Sequence, residues 1–290
     1  MQQENFSFIS ELVKKRSGLV LKQDKVYLLE SRLAPLARKE GEASVDDFIS
    51  KIRQNGSEAL KSAVTEAMTT NESFFFRDKT PFEHLTNVIL PHMAQNRKAP
   101  AKLRIWCCAA STGQEPYSIG MVLKENQAKF GNLKTEILGT DISNQVLEKA
   151  KAGLYSQFEV QRGMPIQLLV KYFTQVGENW EIKPEIKAMV AYRHFNLLES
   201  FRGLGKWDIV FCRNVLIYFD QETKKDILGR IAGQLAPDGY LLLGAAETVL
   251  GISDVFKPVE GHRGLYALSA AADARTKTPF AAAPDVLKRA

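Results

Sequence analysis

The sequence predicts an α/β fold in which helices cover both faces of a parallel sheet, with a separate helical bundle before it. Short apolar runs such as LRIWCCAA, TEILGTD and WDIVFCRN alternate with amphipathic stretches such as EPYSIGMVLKEN and ETKKDILGRIAGQL, a pattern typical of βα units. Before about residue 70, apolar residues instead recur at helical spacing. With 290 residues, 45% of them hydrophobic, the chain is long enough for one large domain and a smaller one.

The N-terminal region is predicted to form about four short helices packed as a small bundle. Asp24 and Ser44 are the predicted N-caps, and an acidic residue follows Ser44 three positions later. In the segment KVYLLESRLAPLARKEG, Arg32, Arg38 and Lys39 fall on or near one face of a helix. Two interpretations of this basic face stay open, a solvated face or a surface that docks a partner.

The remaining elements follow in chain order. A helix-like stretch from Pro81 to about Asn96 precedes the first strand of the sheet. Near the end, DVFKPVEGHRGLYAL has two strand-like halves about a glycine-containing turn, which predicts an antiparallel hairpin that completes the sheet. The tail SAAADARTKTPFAAAPDVLKRA is rich in alanine, with proline and threonine, and is predicted to be a linker or a disordered end.

The apolar runs and the N-terminus argue against a membrane-inserted or secreted protein. The run WDIVFCRNVLIYF is interrupted by polar residues and is shorter than the roughly 20 residues that span a bilayer. The opening MQQENFSFISELVKKRSG lacks the basic and then apolar pattern of a secretory signal. We therefore expect a cytoplasmic protein with no direct membrane insertion.

Cysteine and histidine patterns give no sign of a metal site. The three cysteines lie in apolar, strand-like runs without CxxC spacing, and the four histidines are scattered without an HExxH pattern. The net charge of +6 and the pI near 9.1 permit an acidic partner, either nucleic acid or an acidic protein surface. The charge alone does not choose between them.

The end of the first predicted strand carries candidate binding residues, because ligands of open α/β sheets bind beyond the carboxyl ends of the strands. The loop AASTGQEPYS offers Ala110, Ser111 and Gly113, small residues that let a ligand approach the backbone. A helix is predicted to begin near Glu115 or Pro116. This is not the GxGxxG dinucleotide fingerprint, and an acidic residue at the helix start favours a positively charged ligand over a pyrophosphate.

Three further places have both a binding and a structural interpretation. Asp141 ends the second strand, where an acceptor for ribose hydroxyls is expected, and capping of the next helix is the alternative. Asn196 in HFNLL and Asn214 in FCRNVLIYF follow strand-like runs and suit either hydrogen bonding to a ligand or turn formation. The stretch TTNESFFFRD sets three phenylalanines beside an asparagine, a serine and an arginine, so it is either a core helix or the rim of a pocket.

A family resemblance rests on several motifs together. TTNESFFFRD, RIWCCAASTGQEPYSIGMVL, ILGTDIS, HFNLL, WDIVFCRNVLIYFD and LAPDGYLLLGAAE resemble the chemotaxis receptor glutamate methyltransferases of the CheR family, which use S-adenosylmethionine. The resemblance covers roughly residues 5–268. It implies a Rossmann-like methyltransferase sheet with an N-terminal all-α domain and a small β insertion. The implied domains are 1–76 (helical), 77–269 (methyltransferase, with a small β subdomain at about 172–192) and 270–290 (linker or disordered tail).

The resemblance also implies the site residues. Those implied to bind the cofactor are Asn71, Ser73, Arg77, Glu115, Asp141, Asn196, Leu197, Asn214 and Val215. Arg77 and Tyr218 are implied as catalytic, with Tyr218 orienting the substrate glutamate. Glu115 and Asp141 supply acceptors to a cationic, hydroxyl-rich ligand, whereas the planar guanidinium of Arg77 suits the cofactor carboxylate or the incoming glutamate.

The implied reaction moves a methyl group from S-adenosylmethionine to glutamate side chains of chemoreceptors, in chemotaxis adaptation or a related chemosensory pathway. It yields glutamate methyl esters and S-adenosylhomocysteine. A glutamate carboxylate, whose ordinary pKa is about 4.3, is already ionised near neutral pH, so its oxygen is the nucleophile and no general base is required. The enzyme has to align oxygen, methyl carbon and sulfur and to exclude water.

One segment departs from the family pattern. Between residues 172 and 192, YFTQVGENWEIKPEIKAMVAY occupies the place of the small β insertion. Its QVGENWEI part is shorter than the glycine-rich loop of members that grip a peptide at the receptor's carboxyl terminus. We therefore expect direct recognition of the receptor's helical methylation region, through the basic helix with Arg32, Arg38 and Lys39, by a monomer.

Two other functions compete with this interpretation. A nucleic-acid methyltransferase would share the cofactor fold and suit the basic pI, but Asn214 is followed by VLIYF and not by the Pro-Pro-aromatic element that grips a flipped base. We therefore expect no nucleic-acid substrate. A non-enzymatic docking or cofactor-sensing module would keep the fold and lose pocket residues. Methyl transfer from labelled cofactor to a chemoreceptor fragment or to RNA discriminates the three.

Overall fold

The computed structural model describes residues 1–97, 102–130 and 134–271. Two hydrophobic clusters pack on the two faces of a central sheet, and a third fills the N-terminal helical bundle. The predicted tail at 270–290 lies almost wholly outside the described residues. Within those ranges, no helix is long and apolar enough to cross a membrane.

The N-terminal helices form the predicted bundle. They are α1 (Gln3–Ser17), α2 (Val26–Lys39), α3 (Val45–Asn55) and α4 (Glu58–Met68). Ser44 caps α3 as predicted, because its side chain accepts a hydrogen bond from the Asp47 amide at 3.1 Å. The prediction that Asp24 is an N-cap is wrong. Asp24 lies inside a 3₁₀ turn (Gln23–Lys25), and α2 begins directly after that turn without a side-chain cap.

The basic face predicted on α2 is divided in the structure. The guanidinium of Arg32 donates to the carbonyl oxygens of Met68 and Thr69, at 2.7 and 2.9 Å. Arg32 is therefore half-buried and ties α2 to the end of α4, contrary to the expectation that it belongs to an exposed docking face. Arg38 and Lys39, in the last turn of α2, are exposed.

The central sheet has seven strands in the order β6-β2-β1-β7-β8-β10-β9. They are β1 (Lys102–Cys108), β2 (Lys134–Asp141), β6 (Val190–His194), β7 (Trp207–Cys212), β8 (Leu235–Leu243), β9 (Phe256–Pro258) and β10 (Leu265–Leu268). The pairs from β6 through β8 are parallel, and β10 is antiparallel to both β8 and β9. The strand order reverses between β1 and β7, so the ligand site is expected at the carboxyl ends of those strands.

Alternate residues of β1 serve opposite faces of the sheet, which explains the unbroken apolar run. Ile105 and Cys107 belong to one hydrophobic cluster, whereas Trp106 and Cys108 belong to the other. Helices flank the sheet, namely α5 (Thr80–His84), α6 (Leu90–Asn96), α7 (Gln114–Glu125), α8 (Gln127–Phe130), α9 (Asn144–Ala152) and α13 (Gln221–Gln234). A π-helical turn at Leu85–Ile89 joins α5 to α6, so the predicted helical stretch from Pro81 to Asn96 is continuous.

A second, three-stranded antiparallel sheet has the order β3-β5-β4. Its strands are β3 (Leu154–Ser156), β4 (Phe173–Val176) and β5 (Asn179–Ile182), and the helices around it are α10 (Gln157–Gln161), α11 (Ile166–Tyr172) and α12 (Pro184–Lys187). This sheet does not match the predicted range 172–192. One strand comes from before that range because Tyr155 pairs with Trp180, and residues from Val190 onward belong to the central sheet through pairing with β2.

Candidate active site

A cleft opens at the carboxyl ends of β1, β2, β6 and β7, where the N-terminal bundle meets the sheet. Its empty volume is about 900 Å³, a figure that includes space open to solvent. The structure brings all ten predicted site residues to its wall: Asn71, Ser73, Arg77, Glu115, Asp141, Asn196, Leu197, Asn214, Val215 and Tyr218. The N-terminal region contributes Ser17 and Leu19 to the same wall, so two parts of the chain that are distant in sequence line the cleft.

The backbone around the cleft adopts an unusual conformation. Among the described residues, positive φ outside glycine occurs at Phe76, Asp78, Ala109, Ser111 and Asn214, with values from 50 to 58°. Three of these line the cleft and the other two flank Arg77, a further lining residue. Such conformations cost about 1–3 kcal/mol each and cluster at ligand sites. The loop after β1 uses them to turn sharply into α7, which begins one residue before the predicted Glu115.

Asp141 joins the two central strands at the base of the cleft. Its carboxylate accepts hydrogen bonds from the amides of Ser111 (2.9 Å) and Ser143 (3.0 Å), one on each oxygen. Burial raises the pKa of Asp141. The N-cap of α9 is Ser143, whose hydroxyl accepts from the Val146 amide at 3.3 Å. The alternative prediction, that Asp141 caps this helix, is therefore wrong. An ionised carboxylate accepts about four hydrogen bonds, so Asp141 keeps capacity to accept from a ligand hydroxyl.

Glu115 forms a buried ion pair that sequence reasoning missed. Arg213 Nη1 lies 2.5 Å from Glu115 Oε2, and Arg213 Nη2 lies 2.9 Å from both the Arg77 carbonyl oxygen and Asp78 Oδ2. Burial raises the pKa of Glu115, and the Arg213 charge opposes this shift. A signal was present in the sequence, because an arginine directly after the buried strand β7 requires acceptors nearby.

The stretch TTNESFFFRD combines anchoring with pocket-forming residues. Phe75 is fully buried, with its ring 5.0 Å from Tyr155 and 5.5 Å from Phe173, centroid to centroid. Arg77 is half-buried, donates to the Glu72 carbonyl at 3.0 Å and lines the cleft. The core-helix interpretation is wrong, since residues 70–79 form turns and extended chain.

Of the two roles predicted for Asn196, ligand binding and turn formation, its hydrogen bonds show the structural one. Its Nδ2 donates to the Arg16 carbonyl oxygen at 2.6 Å, and its Oδ1 accepts from the Leu198 amide at 3.0 Å. The side chain thus joins the loop after β6 to the end of α1. One N–H of its amide remains for a ligand.

The loop after β7 carries Asn214, Val215 and Tyr218. The Tyr218 carbonyl oxygen accepts from the Val20 amide at 2.9 Å, which links this loop to the chain that leaves α1. Glu247, another residue that sequence reasoning missed, accepts from the amides of Asn214 and Val215 at 2.7 and 3.0 Å. Nothing local in GAAE distinguishes this glutamate, because its partners lie about thirty positions earlier.

The cleft suits a ligand that carries both charges and hydroxyls. Glu115 and Asp141 are acceptors for cationic or hydroxyl groups, Arg77 is a cation for a carboxylate, and the small loop after β1 admits a ligand close to the backbone. Within the described ranges, no group of side chains is arranged to hold a metal ion. This donor set fits S-adenosylmethionine, whose sulfonium, amino, carboxylate and ribose groups need these partners.

Comparison with known families bears on the same residues. Residues 71–265 match the family described as "CheR methyltransferase, SAM binding domain", and residues 4–69 match "CheR methyltransferase, all-alpha domain". The chain belongs to the CheR methyltransferase family. S-adenosylmethionine is therefore the cofactor, and the resemblance stated from the motifs is confirmed.

Curated CheR relatives align over nearly their whole length. "Chemotaxis protein methyltransferase Cher2" of Pseudomonas putida is 41% identical over 265 residues, 90% of this chain and 96% of the relative. "Chemotaxis protein methyltransferase 1" of Pseudomonas aeruginosa is 42% identical over 266 residues, with the same coverage of 90% and 96%. "Chemotaxis protein methyltransferase" of Vibrio parahaemolyticus is 38% identical over 265 residues, 90% of this chain and 95% of the relative.

Proposed function

We propose that this protein methylates glutamate side chains of chemoreceptors, with S-adenosylmethionine as the methyl donor, in chemotaxis adaptation or a related chemosensory pathway. The products are glutamate methyl esters and S-adenosylhomocysteine. The observation that carries the proposal is the gathering of Glu115, Asp141, Arg77 and Tyr218 at one cleft in a CheR-family chain. Proteins of this family with names that specify chemotaxis align with 90% of this chain.

In this proposal the wall of the cleft divides into a cofactor part and a substrate part. Asp141 accepts from ribose hydroxyls, while Glu115 places negative charge near the cationic groups of the cofactor. The cofactor part is completed by Asn71, Ser73, Arg77, Asn196, Leu197, Asn214 and Val215. When bound, the cofactor supplies a methyl group on a positively charged sulfur.

The substrate part consists of Tyr218 and Arg77, and Arg77 also belongs to the cofactor part. Arg77 orients the incoming carboxylate through its guanidinium, and Tyr218 orients it through its hydroxyl. Charge disappears as a carboxylate attacks a sulfonium, so an ion pair that held the glutamate too tightly would stabilise the ground state more than the transition state. The half-buried position of Arg77 and its contact with the Glu72 carbonyl keep this attraction moderate.

The partner in this proposal is the helical methylation region of the receptor's cytoplasmic part, so the protein acts in the cytoplasm. Arg38 and Lys39 form the contact surface, since Arg32 is used within the protein. The turn between β4 and β5 is short, with Gly177 at φ 60°, which supports recognition that does not depend on a receptor tail peptide. We propose that a monomer is the active form.

Transfer of a labelled methyl group tests the proposal. The full chain is incubated with labelled S-adenosylmethionine and either a chemoreceptor cytoplasmic fragment or an RNA of similar mass. The expected result is labelling of the receptor fragment. Mild base should release the label as methanol, because methyl esters hydrolyse and N-methyl groups do not. Labelling of RNA alone, or base-stable labelling of the fragment, would overturn it.

A further inference from the structure

Glu247 is a buried acid that no predicted role uses. It lies in the turn that follows β8, with 9% of its surface exposed, and its own amide donates to the Gly244 carbonyl oxygen at 2.9 Å. Its carboxylate projects toward the loop after β7, which carries five of the residues that line the cofactor cleft.

The carboxylate accepts four backbone hydrogen bonds. Glu247 Oε2 accepts from the amides of Asn214 and Gly244, both at 2.7 Å, and Oε1 accepts from those of Val215 and Ile217, at 3.0 and 3.3 Å. Four is about the full capacity of an ionised carboxylate. Bonds from amides to a charged acceptor are stronger than bonds to a neutral one, so this side chain fixes three donors of the loop.

The loop needs this support because of its conformation. Asn214 has φ 57°, and the 3₁₀ turn Leu216–Tyr218 follows at once, so the amides at its start lack helix or sheet partners. The backbone at Gly244 packs closely against the Glu247 carboxylate and Asn214. A Cβ at Gly244 would lie 2.7 Å from Glu247 Oε2, 2.8 Å from Asn214 Nδ2 and 3.0 Å from the Asn214 amide nitrogen.

We propose that Glu247 is a positioning residue for methyl transfer. It does not touch the reacting atoms. By holding amides between Asn214 and Ile217, it sets the direction of the Asn214 side chain and of the Tyr218 ring toward the cleft. The expected change in kcat rests on the proposed function. The expected change in the Kd for S-adenosylhomocysteine rests on cofactor binding alone.

The test replaces Glu247 with glutamine. The amide keeps one acceptor oxygen and presents an NH₂ group to two of the four backbone donors, so the loop shifts. We expect kcat for the receptor fragment to fall at least about tenfold at saturating substrates, a loss of about 1.4 kcal/mol in transition-state stabilisation. Calorimetry should show the Kd for S-adenosylhomocysteine raised several-fold.

Asp208→Asn is the matched control. Asp208 is also a buried carboxylate of the sheet, near the opposite end of β7, where it accepts from the Arg104 amide at 2.6 Å and pairs with Arg97 at 2.6 Å. We expect it to lower Tm while leaving kcat and the Kd for S-adenosylhomocysteine near wild type. If both variants lose activity in proportion to their loss of Tm, or if Glu247→Gln keeps wild-type kcat and Kd, Glu247 is merely structural and the inference is wrong.

Gly244→Ala replaces Glu247→Gln if the latter does not fold. It retains the carboxylate but pushes it away from Asn214, so the same changes in kcat and Kd are expected, and wild-type values would overturn the inference. A wild-type protein that fails to methylate the receptor contradicts the proposed function only. The difference in S-adenosylhomocysteine affinity between Glu247→Gln and Asp208→Asn still decides the positioning role.

Discussion

At the scale of single residues, the acids of the cleft have duties both to the fold and to the ligand. Asp141 holds two backbone amides and Glu115 pairs with Arg213, yet each lines the cleft. A substitution therefore has to be compared with a neighbour that carries only the structural duty. The first prediction at this scale uses such a neighbour, and the second compares two ligands of different charge.

Asp141→Ala is expected to weaken binding of S-adenosylmethionine by about 1–3 kcal/mol, because ligand hydroxyls lose a charged acceptor. Calorimetric titration of the folded variant measures the change. Ser143→Ala is the control, since it removes the cap of α9, at a cost of about 0.5–2 kcal/mol in stability, and leaves the Asp141 carboxylate in place. Unchanged affinity in Asp141→Ala, or an equal loss in both, would leave Asp141 with a structural role only.

Cofactor affinity is expected to fall in acid because of Glu115. Burial raises its pKa, Arg213 and Arg77 oppose the shift, and Glu247 adds to it. The ionised carboxylate is the form that attracts a cation, so binding weakens as the pH drops through the raised pKa and the group takes up a proton. The Kd for S-adenosylmethionine should therefore rise as the pH falls through the raised pKa of Glu115.

Two comparisons make the pH prediction specific. The Kd for S-adenosylhomocysteine, which lacks the sulfonium charge, should rise less over the same pH range. Glu115→Gln should bind S-adenosylmethionine weakly with little pH dependence. Equal pH dependence for both ligands in the wild type would assign the effect to another group.

At the scale of elements, the segment TTNESFFFRD shows how one stretch separates anchoring from chemistry. Phe75→Ala is expected to lower the free energy of unfolding by about 3–5 kcal/mol, because it leaves a cavity between the rings of Tyr155 and Phe173. Chemical denaturation measures it. Phe74→Ala is the control, since Phe74 is only half-buried, and it should cost clearly less. An equal cost would place the anchor elsewhere.

Arg77→Ala, in the same segment, is expected to leave Tm nearly unchanged and to reduce receptor methylation at least about tenfold. Its side chain makes an exposed contact with a carbonyl, so the fold loses little. Tyr218→Phe should have a similar but milder effect, because it removes one hydroxyl and keeps the ring. A thermal melt beside a methylation assay measures both variants. Unfolding of Arg77→Ala, or a wild-type rate, would make Arg77 structural.

At the scale of the whole molecule, a basic surface on the bundle is expected to bring the receptor to the cleft. Reversing Arg38 and Lys39 to Glu should lower receptor methylation at low salt and leave S-adenosylhomocysteine affinity unchanged. Arg32 is left intact because it holds the backbone near the cleft. The effect should shrink above about 0.1 M salt, where the Debye length falls to about 10 Å.

A charge-matched control belongs with this reversal. Lys134 and Lys206 are exposed at the amino ends of β2 and β7, the edge of the sheet opposite the cleft. Reversing both changes the net charge by the same amount as reversing Arg38 and Lys39. If the two double variants lose equal receptor activity at low salt, total charge and not a docking face accounts for the effect.

The outcome for individual segments shows what local pattern can predict. Strand and helix periods located the central sheet, the bundle and the final hairpin, because burial of a face leaves a repeat in the sequence. The motifs also supplied the ten predicted site residues, all of which line the cleft. Strand β3 of the small sheet was missed, because its three residues, Leu154–Ser156, are too few to show a strand period.

The sequence by itself determined the fold class, the family and the residues at the strand ends, because these depend on local periodicity and on short motifs. The tertiary structure decided which polar groups pair with which. Arg32 turned inward, Asn196 tied the sheet to α1, and Glu247 reached back to the loop after β7. These partners lie from about thirty to 180 positions apart. A period in the sequence reports that a face is buried, but only the packed fold decides what covers it.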